Sequence, residues 1–507
     1  MARAPSDPLT RLGRLRDRRA GLAALLLGAL SAAALPPVHA IPVLLVAVPG
    51  LLALAGGQNG LRKALRVGFW FGFGHHLLGL YWITEAILVE AARFWWLVPF
   101  AVPALAAVMA VFIAVPCALA WRSPSGWRRV AVFAGAWVLA DLVRQFIATG
   151  FPWNPWGSVW AVPGRFGDIF IQPAAWIGVH GLTLATLLVA ATPALGRRGM
   201  AAGLAGLLLW GGVGLWRLEQ APPPPPGLHV ILVQGSVAEG QKLDRAFVDR
   251  IFERYLALTR QGVTTAGGQP GVVVWPETAS PFLLSHDANA RAAIAAVSGG
   301  LPALIGSVRF DARQQPRNSL MALHGDGPPL AIYDKWHLVP FGEYQPDWFP
   351  LPIQVVPGGG FAAGPGPRTM HVPGLPAVGP LICYEAIFTA EIVEESDRPA
   401  WLVNVTNDAW FGNSAGPRQH LAAARIRAVE EGLPLMRAAN TGITAGFDAR
   451  GHELGRLPMN RPGVLDLALP GALPAPLFAR FGLLVPAGLA ALLIAAGLAP
   501  GRRKQRH

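Results

Sequence analysis

Apolar positions along this 507-residue chain fall in long unbroken runs up to about position 217, and in short ones after it. Runs near 21–38, 41–56, 67–88, 95–121, 130–149, 170–193 and 200–216, with an eighth near 477–499, approach the roughly 20 residues that a helix needs to cross hydrocarbon. The second is short and holds Pro49, so its ends are loosely set. The pattern predicts a multi-pass α-helical membrane domain of about eight transmembrane helices. More spans follow the first run and no small-residue cleavage site precedes a soluble domain, so that run reads as a span and not as a leader.

Beyond the proline run at 222–226, a stiff spacer, the pattern changes. Short β-rich runs at 228–233, 272–275, 303–310, 319–323, 330–333, 377–382 and 401–405 alternate with helical stretches near 243–260, 288–298 and 418–431. In the first of these helices Phe247, Ile251, Tyr255 and Leu258 share a face. Residues 436–448 with a turn at Gly451 read as a hairpin. Such alternation predicts an α/β domain of about 250 residues. Stretch 344–366 is rich in Pro, Gly and aromatics, lacks a period, and reads as a mobile loop.

Composition agrees with two environments. Hydrophobic residues make up 53% and charged ones 14%, and the mean hydropathy of +0.40 is too high for a single soluble domain. The net charge of +13 sits largely between apolar runs, with no basic stripe interleaved with aromatics, so nucleic acid is not the expected partner. Arg3 to Arg19, then Arg62, Lys63 and Arg66, then Arg122, Arg128 and Arg129, then Arg197 and Arg198, and finally Arg502 to Arg506 make every second loop basic. Basic loops mark the cytoplasmic side. The expected order is a cytoplasmic N-terminus at 1–20, seven spans within 21–217, a linker at 218–227, an extracytoplasmic domain at 228–470, the eighth span at 477–499 and a cytoplasmic tail at 500–507. In a bacterial cell this is the inner membrane with the large domain facing the periplasm.

Several polar or aromatic groups lie within the apolar runs. Asp141 and Arg144 are three residues apart on one helix face, as a structural ion pair or a substrate contact. His75 and His76 lack the partners of a metal site. The aromatic stretch 151–160 reads as an interfacial belt, or else as the floor of a lipid entrance. Cys117 reads as a small buried hydrophobe, and two cysteines make no disulfide framework.

Three strand ends carry candidate chemistry. In VVVWPET, Glu277 follows a buried-type strand; apolar walls disfavour its charge, raising its pKa as suits a general base. YDKWHLVPFGEY holds Lys335 and Glu343. In GPLICYEAIF, Cys383 ends a strand before an expected helix, whose N-terminus would favour the thiolate. Singly, each is more often a surface or core residue. Together they supply what acyl transfer needs: a base, a nucleophile and a cation for the oxyanion.

The chain resembles the nitrilase superfamily, whose members use a Glu–Lys–Cys triad on an αββα sandwich, and more closely the apolipoprotein N-acyltransferase family. The pieces that carry the likeness are VVVWPET, YDKWHLVPFGEY, LICYEAIF and NVTNDAWFG, in the family's order, followed by GPRQHLAAARIRAVEEGLPLMRAANTGIT. The resemblance implies Glu277 as base, Lys335 as oxyanion stabiliser, Cys383 as nucleophile and Glu343 as support for the lysine and the acyl intermediate. It implies that Tyr384 and Glu385 shape the nucleophile's pocket and that NDAWFG, with Asn407 and Trp410, lines it. It implies a ping-pong reaction: an acyl chain passes from a membrane phospholipid, typically phosphatidylethanolamine, to Cys383 as a thioester, then to the α-amine of a diacylglyceryl-cysteine on an apolipoprotein. No metal or organic cofactor is implied. Leu243 departs from the family, which often has Trp there, and puts one lipid contact in doubt. Loop 344–366 is the candidate lid that keeps water from the thioester.

Two other functions compete with this expectation. A membrane-tethered amidase would use the same triad, but the preceding spans and longer motifs count against it. A transporter or scaffold with an inactive outer domain is opposed by sparse intramembrane charge and by the presence of all three catalytic residue types.

Overall fold

The structure, a computed structural model, describes residues 7–242, 245–348 and 360–499. Leu243, the basic tail at 500–507 and the centre of the candidate lid lie outside the described residues. Helices stand on each of the eight apolar runs: Asp17–Ser31, Leu44–Gly56, Leu61–Gly79, Val98–Arg122, Trp127–Phe146, Ala174–Ala190, Gly196–Leu218 and Leu484–Leu498. Among the described residues, two helical stretches, Ala91–Arg122 and Thr192–Leu218, are long and apolar enough to cross a membrane. The bent pair Arg165–Ile171 and Ala174–Ala190 makes a third if it forms one span. Some of the rest are short: Leu44–Gly56 has 13 residues, about 20 Å at 1.5 Å per residue, short of a bilayer core. Leu61–Gly79 and Trp127–Phe146 are long enough but carry Arg62, Lys63 and Arg66, and Arg128, Arg129, Asp141 and Arg144.

Several polar groups inside these helices find partners within the protein. Asp141 and Arg144 pair at 3.0 Å, and Arg144 also donates to the Trp153 carbonyl at 3.0 Å. His75 takes the Trp156 indole N–H at 3.2 Å and meets Ser31 Oγ at 2.9 Å, so its ring is committed to packing. The aromatic stretch is not the lipid-facing belt expected from its composition. Trp153, Trp156 and Trp160 are at most 4% exposed. They are buried because each indole has a partner inward: Trp153 donates to Gln419 at 2.8 Å and packs on Trp82, and Trp160 donates to Thr186. The stretch seals the helices against the second half of the chain.

That half is a four-layer sandwich. Its strands among the described residues are β1 (His229–Gln234), β2 (Gly271–Trp275), β3 (Ala303–Phe310), β4 (Pro316–Leu323), β5 (Ala331–Asp334), β6 (Val378–Ile382), β7 (Trp401–Thr406), β8 (Leu435–Ala439), β9 (Thr444–Phe447), β10 (Glu453–Leu457) and β11 (Gly463–Ala468). One sheet runs β11-β1-β2-β3-β4-β5 and the other β10-β9-β8-β7-β6. The central strands β1–β3 and β6–β8 are parallel and mostly apolar on both faces, as strands covered on two sides tend to be. Alternation then sorts side chains between layers. Val230, Leu232, Val272 and Val274 meet Ile382, Val403, Val405 and Met436 between the sheets. Ile231, Val233, Val273 and Trp275 face outward to Ile251, Phe252 and Tyr255 of helix Val248–Ala266. Leu381, Leu402 and Leu435 face Leu421, Ala424 and Ala428 of helix Gly416–Glu431. The expected hairpin is three-stranded, β8-β9-β10, and the edge strand β11 went unread because its neighbour β1 lies more than 200 residues away.

The helix Gly416–Glu431 is buried on all sides because it lies between the sandwich and the membrane helices. The Ala174–Ala190 helix breaks at Gly178, whose φ of 64° favours glycine. The break frees the Val179 N–H, which donates to Glu430 at 2.7 Å. Arg425 pairs with Asp168 at 2.5 Å, and Gln145 donates to Glu391 at 2.7 Å. The two halves are thus joined by buried, charge-assisted hydrogen bonds.

Candidate active site

The strand ends that carry candidate chemistry converge at one edge of the sandwich. Glu277 follows β2, Lys335 follows β5 and Cys383 follows β6, and all three are buried. Lys335 Nζ lies 3.3 Å from Glu277 Oε1 and 2.8 Å from Glu343 Oε2. Asn318, on β4, bridges both carboxylates, donating to Glu277 at 2.8 Å and to Glu343 at 2.9 Å. The Asn407 N–H donates to Glu277 at 2.7 Å, and the Val339 N–H to Glu343 at 2.8 Å. The Cys383 thiol hydrogen-bonds Glu277. Thiol, carboxylate and ammonium therefore form one continuous array, shielded from water.

Local backbone geometry aims these groups. Cys383 has φ 51° and Thr278, just after Glu277, has φ 46°. Non-glycine residues held there cost about 1–3 kcal/mol each, and their surroundings must impose the conformation. The approach of β3 helps: at Gly306 a Cβ would lie 2.0 Å from the Pro276 carbonyl, so only glycine lets the Glu277 segment come this close.

Electrostatics corrects two expectations. Burial pushes the Glu277 carboxyl up, as apolar walls imply, but the Lys335 ammonium and the Asn318, Cys383 and Asn407 donors outweigh it. Its pKa ends below the ordinary carboxylate value, so Glu277 is ionised at neutral pH. Cys383 opens not an α-helix but the single 3-10 turn Cys383–Ile387. Burial first, then the Glu277 charge, push the thiol well above its usual range. The resting pair is a carboxylate and a neutral thiol. Lys335 is pushed above its usual range: burial opposes its charge, but Glu277, Glu343 and Cys383 outweigh it.

The remaining candidates surround this array. Glu385 accepts from the N–H groups of Ile382 (2.6 Å) and Trp336 (2.8 Å) and from the Tyr333 hydroxyl (3.0 Å), so it ties the cysteine turn to the lysine segment. Burial pushes its carboxyl up to about 7 against those donors. Replacing Glu385 with Gln turns an NH₂ toward at least one donor. Loss of about 1–3 kcal/mol is expected, read as a lowered unfolding midpoint; an unchanged midpoint contradicts it. Tyr384 donates to the Gly150 carbonyl at 3.1 Å, fastening the residue after the cysteine to the membrane half. Asn407 donates its side chain to Glu239. Trp410 is half-buried in the turn Asp408–Phe411, whose Phe411 packs on Trp82.

The sequence assigns no role to Asn318, His420 and Arg437, while Asp408 lies in NDAWFG, the stretch expected to line the site. Asn318 stands just before the strand expected at 319–323, between Arg317 and Ser319, where nothing local distinguishes it. His420 lies 2.9 Å from the Cys383 carbonyl oxygen and 2.9 Å from Asp408, which pairs with Arg437 at 2.7 Å. Cys383, Asp408 and His420 bring ligand-type atoms within 4.8 Å of one another. That donor set does not fit a metal, because the Arg437 guanidinium already supplies the cation, 3.2 Å from His420 Nδ1.

Both halves of the chain have counterparts among known proteins. Residues 27–192 match the apolipoprotein N-acyltransferase N-terminal domain family, and residues 253–470 match the carbon-nitrogen hydrolase family. An apolipoprotein N-acyltransferase of Rhodopseudomonas palustris is 38% identical over 93% of this chain and 93% of its own. The protein of that name from Allorhizobium ampelinum is 40% identical over 88% of this chain and 89% of its own. Matched in both halves and along nearly its whole length, the chain belongs to the apolipoprotein N-acyltransferase family, acyltransferases that carry a nitrilase-like α/β domain.

Proposed function

We propose that the protein moves an acyl chain from a membrane phospholipid, phosphatidylethanolamine the favoured donor, onto the α-amine of a diacylglyceryl-cysteine at the N-terminus of an apolipoprotein, with Cys383 as carrier. Glu277 takes the thiol proton as sulfur attacks the ester carbonyl. Lys335 steadies the oxyanion, with Glu343 holding the lysine. The tetrahedral adduct collapses, the lysophospholipid alcohol leaves with the proton from Glu277, and a thioester remains. The incoming amine then attacks the thioester, Glu277 takes its proton, and the thiol is restored as the amide forms. Tyr384, Glu385, Asn407 and Trp410 shape the pocket.

The eight helices cross the membrane with both termini in the cytoplasm and the 228–470 domain outside, as the alternating basic loops suggest. A membrane seat has a physical use here. Pulling an acyl chain into water costs about 0.8 kcal/mol per CH₂, so an enzyme that leaves both chains in lipid need lift only the reacting groups.

The observation that carries this reading is the buried thiol–carboxylate–ammonium array at Cys383, Glu277 and Lys335. Its test is incubation of the purified protein with labelled phosphatidylethanolamine. The expected result is a hydroxylamine-sensitive adduct on Cys383, discharged to an N-acyl product by a diacylglyceryl peptide. An amidase or a transporter forms no such adduct. Replacing Glu277 with Gln should slow acylation by about 10²–10⁴-fold, the usual worth of a positioned base; a near-normal rate removes Glu277 from that role.

A further inference from the structure

The His420 ring is buried beneath the cysteine turn, and both its nitrogens face oxygens. A backbone carbonyl can only accept, so the nitrogen 2.9 Å from the Cys383 oxygen, Nε2, carries a proton. On the other side, Asp408 is held down at about 2 although burial opposes its charge; Arg437 and His420 prevail. Asp408 and Arg437 fix the ring from below, Thr406 donates to Asp408 at 3.0 Å, and Arg437 donates to Asn404 on β7. Trp153 of the membrane half lies over the ring at 5.7 Å between centroids.

We propose that His420 is a positioning residue: its Nε2–H grips the Cys383 carbonyl and so fixes the peptide whose opposite end, the Tyr384 N–H, is an oxyanion donor beside Lys335. The geometry follows from peptide planarity. In a trans peptide C=O and N–H point in opposite directions, so holding the oxygen toward His420 turns the N–H away from it. The first N–H groups of a helical turn also lack partners within the turn and are free to serve a ligand. The peptide needs such a grip because Cys383 sits at φ 51°, where it is strained and would relax if released. His420 is not the base for the thiol, since its one nitrogen on that side is committed to the carbonyl.

This inference rests on Cys383 being the acyl carrier, and the experiment separates the two. Full-length wild type, H420M (no donor) and H420Q (an amide N–H at the same reach) are compared in phospholipid nanodiscs. Two rates are read on Cys383: acylation by labelled phosphatidylethanolamine, and alkylation by iodoacetamide, in which the sulfur displaces iodide from a methylene carbon and no oxyanion develops. Both are normalised to the alkylatable Cys383 titre, so misfolded protein drops out. The expected result for H420M is a fall of about 10²-fold in the acylation rate constant, the usual worth of one oxyanion donor. Its alkylation should stay within threefold and its KM for lipid within threefold, while H420Q recovers most of the acylation rate. If H420M acylates normally, or if acylation and alkylation fall together, the positioning role is wrong. Should H420M present no titratable Cys383, H420Q decides: a full thiol titre with acylation still 10²-fold down overturns the proposal. Wild type that forms no adduct overturns the carrier reading, and this inference with it.

Discussion

Replacing Cys383 with Ala is expected to abolish acyl transfer while leaving the protein folded. Loss of a covalent nucleophile costs on the order of 10⁶-fold where it has been separated from the rest of its triad, and no second thiol can substitute. Cys117, the other cysteine, is buried in the Val98–Arg122 helix, far along the chain from the site. The fold should survive because Glu277 keeps Lys335, Asn318 and Asn407 as partners when the thiol leaves. Alanine also accepts the same backbone angle as cysteine with the same strain. The expected stability change is within about 1–2 kcal/mol, the ordinary range for a small truncation. Mass spectrometry for the acyl adduct and the N-acyl product, beside a thermal unfolding curve, reads both. Product formation above about 1% of wild type would mean that acyl transfer does not pass through this sulfur.

Replacing Lys335 with Met is expected to damage both chemistry and fold. The ammonium is fully buried between two carboxylates, so its removal leaves Glu277 and Glu343 facing each other without a cation. Breaking a buried pair on one side costs about 3–5 kcal/mol. Loss of the oxyanion partner slows acylation by a further 10²-fold or so. The pH profile separates these effects. Burial alone pushes Glu277 up, and the Lys335 charge is the largest of the influences that bring it down. Without Lys335 the Glu277 pKa therefore rises, so the acidic limb of the acylation profile moves to higher pH. The sign for stability follows likewise. A depressed carboxyl contributes stability that is present above its unfolded value and lost as pH falls through its folded value. The variant lacks that contribution and should lose less stability than wild type on acidification. An unchanged acidic limb in folded Lys335→Met protein would show that the ammonium does not set the state of Glu277.

Glu277, Lys335 and Cys383 were legible as a set because each stands just past a strand, within a distinctive motif, although singly each reads more often as a surface or core residue. The bridging groups were not. Asn318 is 41 residues from Glu277, and the Asn407 N–H that donates to it is 130 residues away. Nothing in the spacing of a chain says which distant amide will turn toward a carboxylate. The same holds for His420, which looks in sequence like any polar residue on a helix, and in the fold lies beneath the Cys383 peptide.

Sequence alone determined what depends on neighbouring residues: the apolar helices of the first half, the change to α/β alternation after the prolines, and the strand ends that bear Glu277, Lys335 and Cys383. Hydrophobic periodicity is a local property, and a strand's end is marked within a few residues of itself. Tertiary structure decided what depends on sums over distant partners. It turned the 151–160 aromatics inward, because their indole N–H groups find acceptors on other elements. It set Glu277 below and Cys383 above their ordinary values, because opposed effects of burial and of remote charges can be added only once the chain has brought them together.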